Sequence, residues 1–385
     1  MKTTIYLHIG ESKTGSSIIQ NFLDVNREKL AKKHGTLYPN FSSDRPETGR
    51  NHNHAQWYFS AIRDDINTFI KDMLKMVRYA EKKGISKIVL SNEGWLLNEK
   101  SASIFQNLLE HNDQVEIKII CYLRRIDTWV ESAWKQWGLK IHDSIEDYAS
   151  TPLIQNKYKI ILNHLQEWEG LIGKENMIVR AYEKRQLPDG LLHDFLGHIG
   201  IDYAKHRWTK TEDSNLAKNF GFNRDVLELL HTCRELFSDR HDTQLYNTFA
   251  ALLRDKFQKK PFESYNLLSP QQRLALIEDN RQYEQEIARC YMGRPDGKVF
   301  HDPLPDTDRD FEPYAGLTLE KALPIIVEMI HQQQMLLKHT NLRMNKLAKQ
   351  LDAANPGTKS IQSGSGKRKP LGTTLKDFIK KVFRS

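Results

Sequence analysis

The chain reads as an α/β protein: a three-layer domain around a central, mainly parallel sheet, followed by a helical C-terminal region. Three stretches predict this. Residues 4–23 pass from an apolar run, Ile5 to Ile9, through a glycine-bearing loop, Gly10 to Gly15, into Ile18, Ile19, Phe22 and Leu23 at helical spacing. Residues 115–123 are nearly all apolar after Lys118, as a parallel strand buried on both faces must be. Beyond Gly200 the apolar residues recur with helical spacing.

The first stretch is a strand, phosphate loop, helix unit of P-loop type. Gly10 and Gly15 let the backbone turn tightly and approach an anion, and the unpaired N–H groups of the first helical turn point at it along the favourable end of the helix dipole. Lys13 adds a full charge, and Ser12, Thr14, Ser16 and Ser17 add hydroxyl donors. The nucleotide-hydrolase pattern G-x-x-x-x-G-K-[ST] is absent, because the lysine precedes the second glycine. Lys13-Thr14-Gly15-Ser16-Ser17 instead resembles the 5′-phosphosulfate loop of the sulfotransferases, which grips 3′-phosphoadenosine 5′-phosphosulfate (PAPS).

The rest of the chain follows in order. His34 to Pro39 reads as a helix stop and a short strand. Residues 40–53 form a polar loop with Arg45, Arg50 and His52, with His54 just beyond; its length suits a lid or a binding loop. Residues 56–81, with Trp57, Phe59, Ile62, Ile66, Phe69, Ile70, Met73, Leu74 and Val77, predict one long amphipathic helix. A β-branched run from Ile85 to Leu90 ends at Ser91-Asn92-Glu93-Gly94, which sets Glu93 at the carboxyl end of a strand, where open α/β sheets bind ligands.

The strand over 115–123 ends at Arg124-Arg125-Ile126-Asp127, and a helix carries Ser132. An arginine closing a strand, with a serine eight residues on, resembles a second sulfotransferase signature, which grips the 3′-phosphate of PAPS; the spacing favours Arg124 over Arg125. Residues 176–182 read as a further strand, and the Tyr182-Glu183 pair at its end resembles the place where the family sets a tyrosine near the adenine. Helical patterns cover 222–237, 246–257 and 269–292, the last with Ser269-Pro270 as cap and first-turn proline. Its 277–291 part resembles the last helix of bacterial sulfotransferase domains, so the likeness spans roughly residues 1–300. The Arg-Lys-Gly motif of the cytosolic steroid and phenol enzymes is not visible.

The expected organisation is a sulfotransferase-like domain over 1–305, with an α/β nucleotide-binding core to 203 and a mostly helical part over 204–305. A linker follows at 306–316, next to the Pro/Asp-rich stretch 302–313. The segment 317–354 holds a long helix, expected to run from Pro324 in a first turn to about Ala354, which repeats Ile330, Leu337, Met344 and Leu351 every seven residues. This helix either lies back on the domain or forms a coiled coil, and a homo-oligomer through 324–354 is the partner it would imply. A flexible linker at 355–373 leads to a basic amphipathic tail at 374–385.

The composition, 39% hydrophobic and 28% charged over 385 residues, is that of an ordinary globular protein. No run of 18 apolar residues and no signal-peptide pattern is found, so neither a membrane span nor export is expected. Cys121, Cys233 and Cys290 have no metal-ligand spacing and suit a reducing cytoplasm. Between Lys359 and Ser385 eight Lys/Arg face one acid, Asp377, so this end carries +7 of the net +8. The near-neutral body argues against nucleic acid as a partner. The tail, 367–385, suits an anionic membrane surface and a peripheral place at its inner face.

What the resemblance implies is in-line sulfuryl transfer from PAPS to a hydroxyl or amine, without a metal. The acceptor is expected to be a carbohydrate or glycolipid, by similarity to bacterial polysaccharide sulfotransferases. Lys13 would meet the leaving phosphate oxygen. Glu93 is the first candidate for the general base and His54 the second. Two alternatives remain open: a P-loop phosphotransferase, which lacks here both Gly-Lys-[Ser/Thr] and a strand-end acid before Arg124, and a non-catalytic scaffold on a degenerate fold.

Overall fold

The structure, a computed structural model, describes residues 2–42, 44–49, 53–98, 100–110, 112–209, 221–253 and 266–354. It divides into two compact units. One comprises Met1–Trp134, Asp143–Asn219 and Asn266–Pro313, and the other Lys135–His142, Phe220–Tyr265 and Tyr314–Ser385. The expected joints at 203 and 305 do not coincide with this division, because the helices within 221–253 group with the long C-terminal helix. The linker at 355–373 and the tail at 374–385 lie outside the described residues.

In chain order the elements are β1 (Thr3–Gly10), α1 (Ser16–Val25), α2 (Arg27–His34), β2 (Thr36–Leu37), α3 (Ala55–Asp64), α4 (Ile66–Lys83), β3 (Lys87–Ser91), α5 (Ser101–Glu110), β4 (Val115–Leu123) and α6 (Ile126–Gln136). Then come α7 (Ile145–Ala149), α8 (Pro152–Gln155), α9 (Lys157–Ile172), β5 (Met177–Ala181), α10 (Leu191–His198), α11 (Arg224–Thr232), α12 (Gln244–Leu252), α13 (Pro270–Tyr291) and α14 (Leu319–Ala354).

The five strands form one sheet in the order β2-β3-β1-β4-β5, and every pairing is parallel. The mixed α/β class expected from sequence is therefore the observed one. β1 is central, with Tyr6 paired to Val89 of β3 on one side and Lys118 of β4 on the other. The chain leaves β1 toward the β3 edge and leaves β4 toward the β5 edge. Where successive connections diverge in this way, a crevice opens at the carboxyl ends of the two strands.

Helices cover both faces. On one, Ile19, Phe22 and Leu23 of α1 and Phe195 and Leu196 of α10 pack with Val89, Ile120 and Tyr122 from the sheet. Strand alternation turns Ile5, Leu7 and Ile9 the other way, and all three are fully buried. A cluster of edge-to-face rings gathers Tyr58, Phe69, Trp95 and Phe105.

Three helical expectations are corrected. Residues 56–81 form two helices, because the Asp65 carboxylate accepts the Asn67 N–H at 3.0 Å and caps α4. The stretch 222–237 is helical only to Thr232 and ends in a 3₁₀ turn at Arg234–Leu236. The long helix starts at Leu319, which puts Pro324 in its second turn at the loss of a single backbone bond. The cap expected at Ser269 is present, and Gln272 completes it into a capping box.

In the second unit α11 and α12 pack on α14 around an apolar cavity of about 350 Å³ lined by Leu229, Phe249, Ile330 and Leu337 among others. Of the heptad stripe, Ile330 and Leu337 line this cavity, although Leu337 stays 53% exposed, and Met344 further along is 63% exposed. Among the described residues no helix is long and apolar enough to cross a membrane.

Candidate functional site

The loop joining β1 to α1 lies at the crevice. The register of β1 against β4 shifts between His8 and Gly10, which turns the strand end. Gly10 (φ 120°) packs so closely that a Cβ would lie 3.1 Å from the carbonyl oxygen of Glu93. Gly15 (φ 80°) precedes α1, and a Cβ there would lie 2.6 Å from Leu191 Cδ2 and 3.2 Å from Tyr182 Cε2. Lys13 is also left-handed, at φ 68°. Alternating left-handed residues curl the backbone so that successive N–H groups share one concave side. The N–H groups of Thr14, Gly15, Ser16 and Ser17 donate to nothing among the described residues.

The hydroxyls divide. Thr14 and Ser16 both donate to the Glu11 carbonyl, and Ser16 also reaches the Glu93 carboxylate. Ser17 is exposed. The loop's own carbonyls are held from outside: Trp129 Nε1 donates to Ser12 O at 3.0 Å, and Arg124 Nη1 donates to Lys13 O at 2.9 Å.

An acid inside an anion loop needs a partner, and Glu11 has two. Its Oε2 accepts the Arg124 backbone N–H at 3.0 Å, and its other oxygen forms a buried ion pair with Lys157 of α9. The Lys157 ammonium also lies 4.4 Å from the centre of the Trp129 ring. Next to it, Tyr158 Oη donates to Arg124 O at 2.8 Å. Glu11, Trp129 and Lys157 were missed in the sequence; the one signal was an unexplained carboxylate within the loop.

Arg124 and Arg125 take different work. The Arg124 guanidinium donates from Nε to Thr128 Oγ1 at 3.2 Å and faces the Tyr182 ring at 6.0 Å. Arg125 is spent on structure: it grips the Asp127 carboxylate with two bonds, at 2.8 and 3.0 Å, and donates to the carbonyls of Asp302 and Pro303. Arg273 takes the same carboxylate at 2.6 Å, and these partners outweigh burial to hold Asp127 below the usual carboxylate range. Ser132 lies one turn beyond Thr128 on α6, half-buried, with no bond to a described residue.

Charge converges on the crevice. Burial, and then repulsion from Arg124, pull the Lys13 ammonium down to about 8, against the attraction of Glu93. Burial pushes the Glu93 carboxyl up, against the Ser16 hydroxyl and Lys13. Lys13, Glu93 and Arg124 are therefore within electrostatic reach of one another. His54 is not among them. It is fully buried, its Nδ1 accepts the Ser91 N–H at 3.0 Å, and its Nε2 therefore carries the proton and donates to Pro39 O at 3.0 Å. With both nitrogens committed and burial lowering it to about 4, His54 ties β3 to the loop before α3.

No family model matches the chain. An uncharacterized protein of Archaeoglobus fulgidus is 35% identical over 127 residues, which is 32% of this chain and 33% of that protein, so the match spans about a third of the relative's length. Among solved structures, a sulfotransferase from Alicyclobacillus acidocaldarius overlaps 59% of this chain and 89% of its own, with a TM-score of 0.33 and 15% identity.

Proposed function

We propose that the chain is a sulfotransferase that moves a sulfuryl group from PAPS to a hydroxyl or amine, the acceptor being a carbohydrate or glycolipid. One observation carries this reading: four N–H groups of the loop and the first turn of α1, unpaired among the described residues, the Lys13 ammonium and the Arg124 guanidinium lie together at the crevice, within electrostatic reach of Glu93. The donor set suits an anion with two separated charged groups, and the close approach at Gly15 keeps the loop clear of a side chain. When bound, PAPS supplies the sulfuryl group and a phosphate as leaving group.

Each residue then has a task. The N–H groups of Thr14 to Ser17 and the Lys13 ammonium hold the anionic oxygens and meet charge as it develops on the leaving side. Arg124, braced by Thr128 and by Lys13 O, holds the 3′-phosphate, with Ser132 as the second donor. Tyr182 flanks the base. Glu93, with a raised proton affinity and its carboxylate steadied by Ser16, takes the acceptor proton.

Titration calorimetry tests the reading. PAP is expected to bind without magnesium, and ATP with magnesium far more weakly. Tight magnesium-dependent ATP binding in place of PAP would make the chain a phosphotransferase; binding of neither would leave a scaffold.

A further inference from the structure

We propose that Phe59 is the platform on which the acceptor's sugar ring stacks, an inference that rests on the sulfotransferase reading above. The hydrophobic spacing of residues 56–81 predicts a buried Phe59, yet its side chain is 45% exposed. The ring is nonetheless fixed in place. It meets Tyr58 edge-on at 5.3 Å, and Tyr58 is itself fully buried and bonded to Ser101. On another side it closes on Gly94, where a Cβ would lie 3.3 Å from Phe59 Cζ.

That neighbour matters, because Gly94 follows Glu93. A braced and solvent-facing aromatic ring therefore packs on the residue that follows Glu93, whose carboxylate is proposed to meet the acceptor hydroxyl. Gln56, one turn back on α3 from Phe59, is exposed and polar.

The chemistry selects the occupant. A wholly apolar acceptor gains most from an enclosed pocket that removes all of it from water. A single open ring with an amide one turn away offers less area and a mixed character. It matches a pyranose, which presents a flat face of C–H groups to the ring and keeps its hydroxyls in water or on amides. The ring sets the sugar's height and tilt, so that one hydroxyl reaches Glu93 while the others stay free.

The test uses the full chain and its Phe59→Leu and Phe59→Trp variants. Label transfer from radiolabelled PAPS is followed to cellotetraose, chitotetraose and a heparosan hexasaccharide, with phenol and octanol as hydroxyls that carry no sugar. Phe59→Leu keeps apolar bulk and loses the aromatic face, so KM for the sugar is expected to rise roughly 3- to 10-fold, in line with the worth of one aromatic contact. Its kcat should stay within about twofold. Phe59→Trp should restore KM, and PAP affinity should match wild type in both variants. If wild type binds PAP but Phe59→Leu shows an unchanged sugar KM, or if only phenol or octanol is labelled, the platform is wrong and the donor site stands. If wild type fails to bind PAP, both fall together.

Discussion

Lys13 gives the proposed donor site a signature that can be read without knowing the acceptor. Its ammonium is buried and repelled by Arg124, which brings it to about 8. At pH 8 roughly half of the Lys13 side chains are then neutral, and at pH 7 roughly a tenth. A bound dianion favours the charged form, so PAP binding at pH 8 should draw about half a proton from solution and much less at pH 7. Calorimetry in Tris, HEPES and Tricine, whose ionisation heats differ, returns that number as the slope of binding heat against buffer heat. Lys13→Met should flatten the slope. PAP binding at pH 8 with no buffer dependence in wild type would refute the placement of Lys13 at the anion. Stability carries the same signature with a definite sign. The folded-state value lies below the ordinary lysine value of 10.5, so the unfolded chain holds more protons between about pH 8 and 10.5, and folding gains stability as pH rises through that window. Lys13→Met should therefore melt above wild type at pH 7, and the gap should close toward about pH 10.

Three further outcomes follow from the site. Arg124→Ala should weaken PAP binding in calorimetry with little change in melting, whereas Arg125→Ala should destabilise the fold by about 3–5 kcal/mol in urea titration, because it strips a partner from the buried Asp127 carboxylate; equal behaviour of the two would erase the division of roles. Glu93→Gln should lower kcat while PAP affinity holds, and His54→Gln should chiefly lower the melting temperature; a kcat loss confined to the His54 variant would reverse the assignment. Gly15→Ala should reduce both PAP affinity and stability, since its Cβ falls 2.6 Å from Leu191 Cδ2 at a left-handed φ; a variant that binds PAP like wild type would show that the loop can relax away from Tyr182 and Leu191.

Much of this was legible locally. The loop and the Arg124 corner each need only a strand, a turn and a helix start in succession, and both occupy short continuous stretches whose hydrophobic spacing announces them. Spacing favoured Arg124 over Arg125, but the clamp of Arg125 and Arg273 on Asp127 could not be read from it. What stayed hidden depends on residues distant in sequence. Nothing near Lys157 says that its ammonium will be buried on Glu11, and nothing near His54 says that Pro39 and Ser91 will take both its nitrogens. Periodicity also misled where a polar residue acts on the backbone: Asp65 splits a continuous apolar pattern by capping a new helix, and Phe59, in phase with the buried stripe, ends up in water. The fold class followed from pattern, and one exception to it, Phe59, packs against the glycine that follows Glu93.

The clamp behind Arg124 has a consequence for how the protein is made. Every residue proposed to hold the donor has been synthesised once Tyr182 is in the chain, yet Arg125 is anchored on the carbonyls of Asp302 and Pro303, Asp127 waits for Arg273, and Glu183 closes on the backbone N–H groups of His301 and Asp302. A nascent chain stalled after residue 203 thus holds every residue proposed for the donor around a corner whose buried carboxylate lacks one of its two arginines. Translation delivers the chemistry first and its fastening a hundred or so residues later, so the site is finished late in synthesis, when the chain returns to the residues beside Arg124.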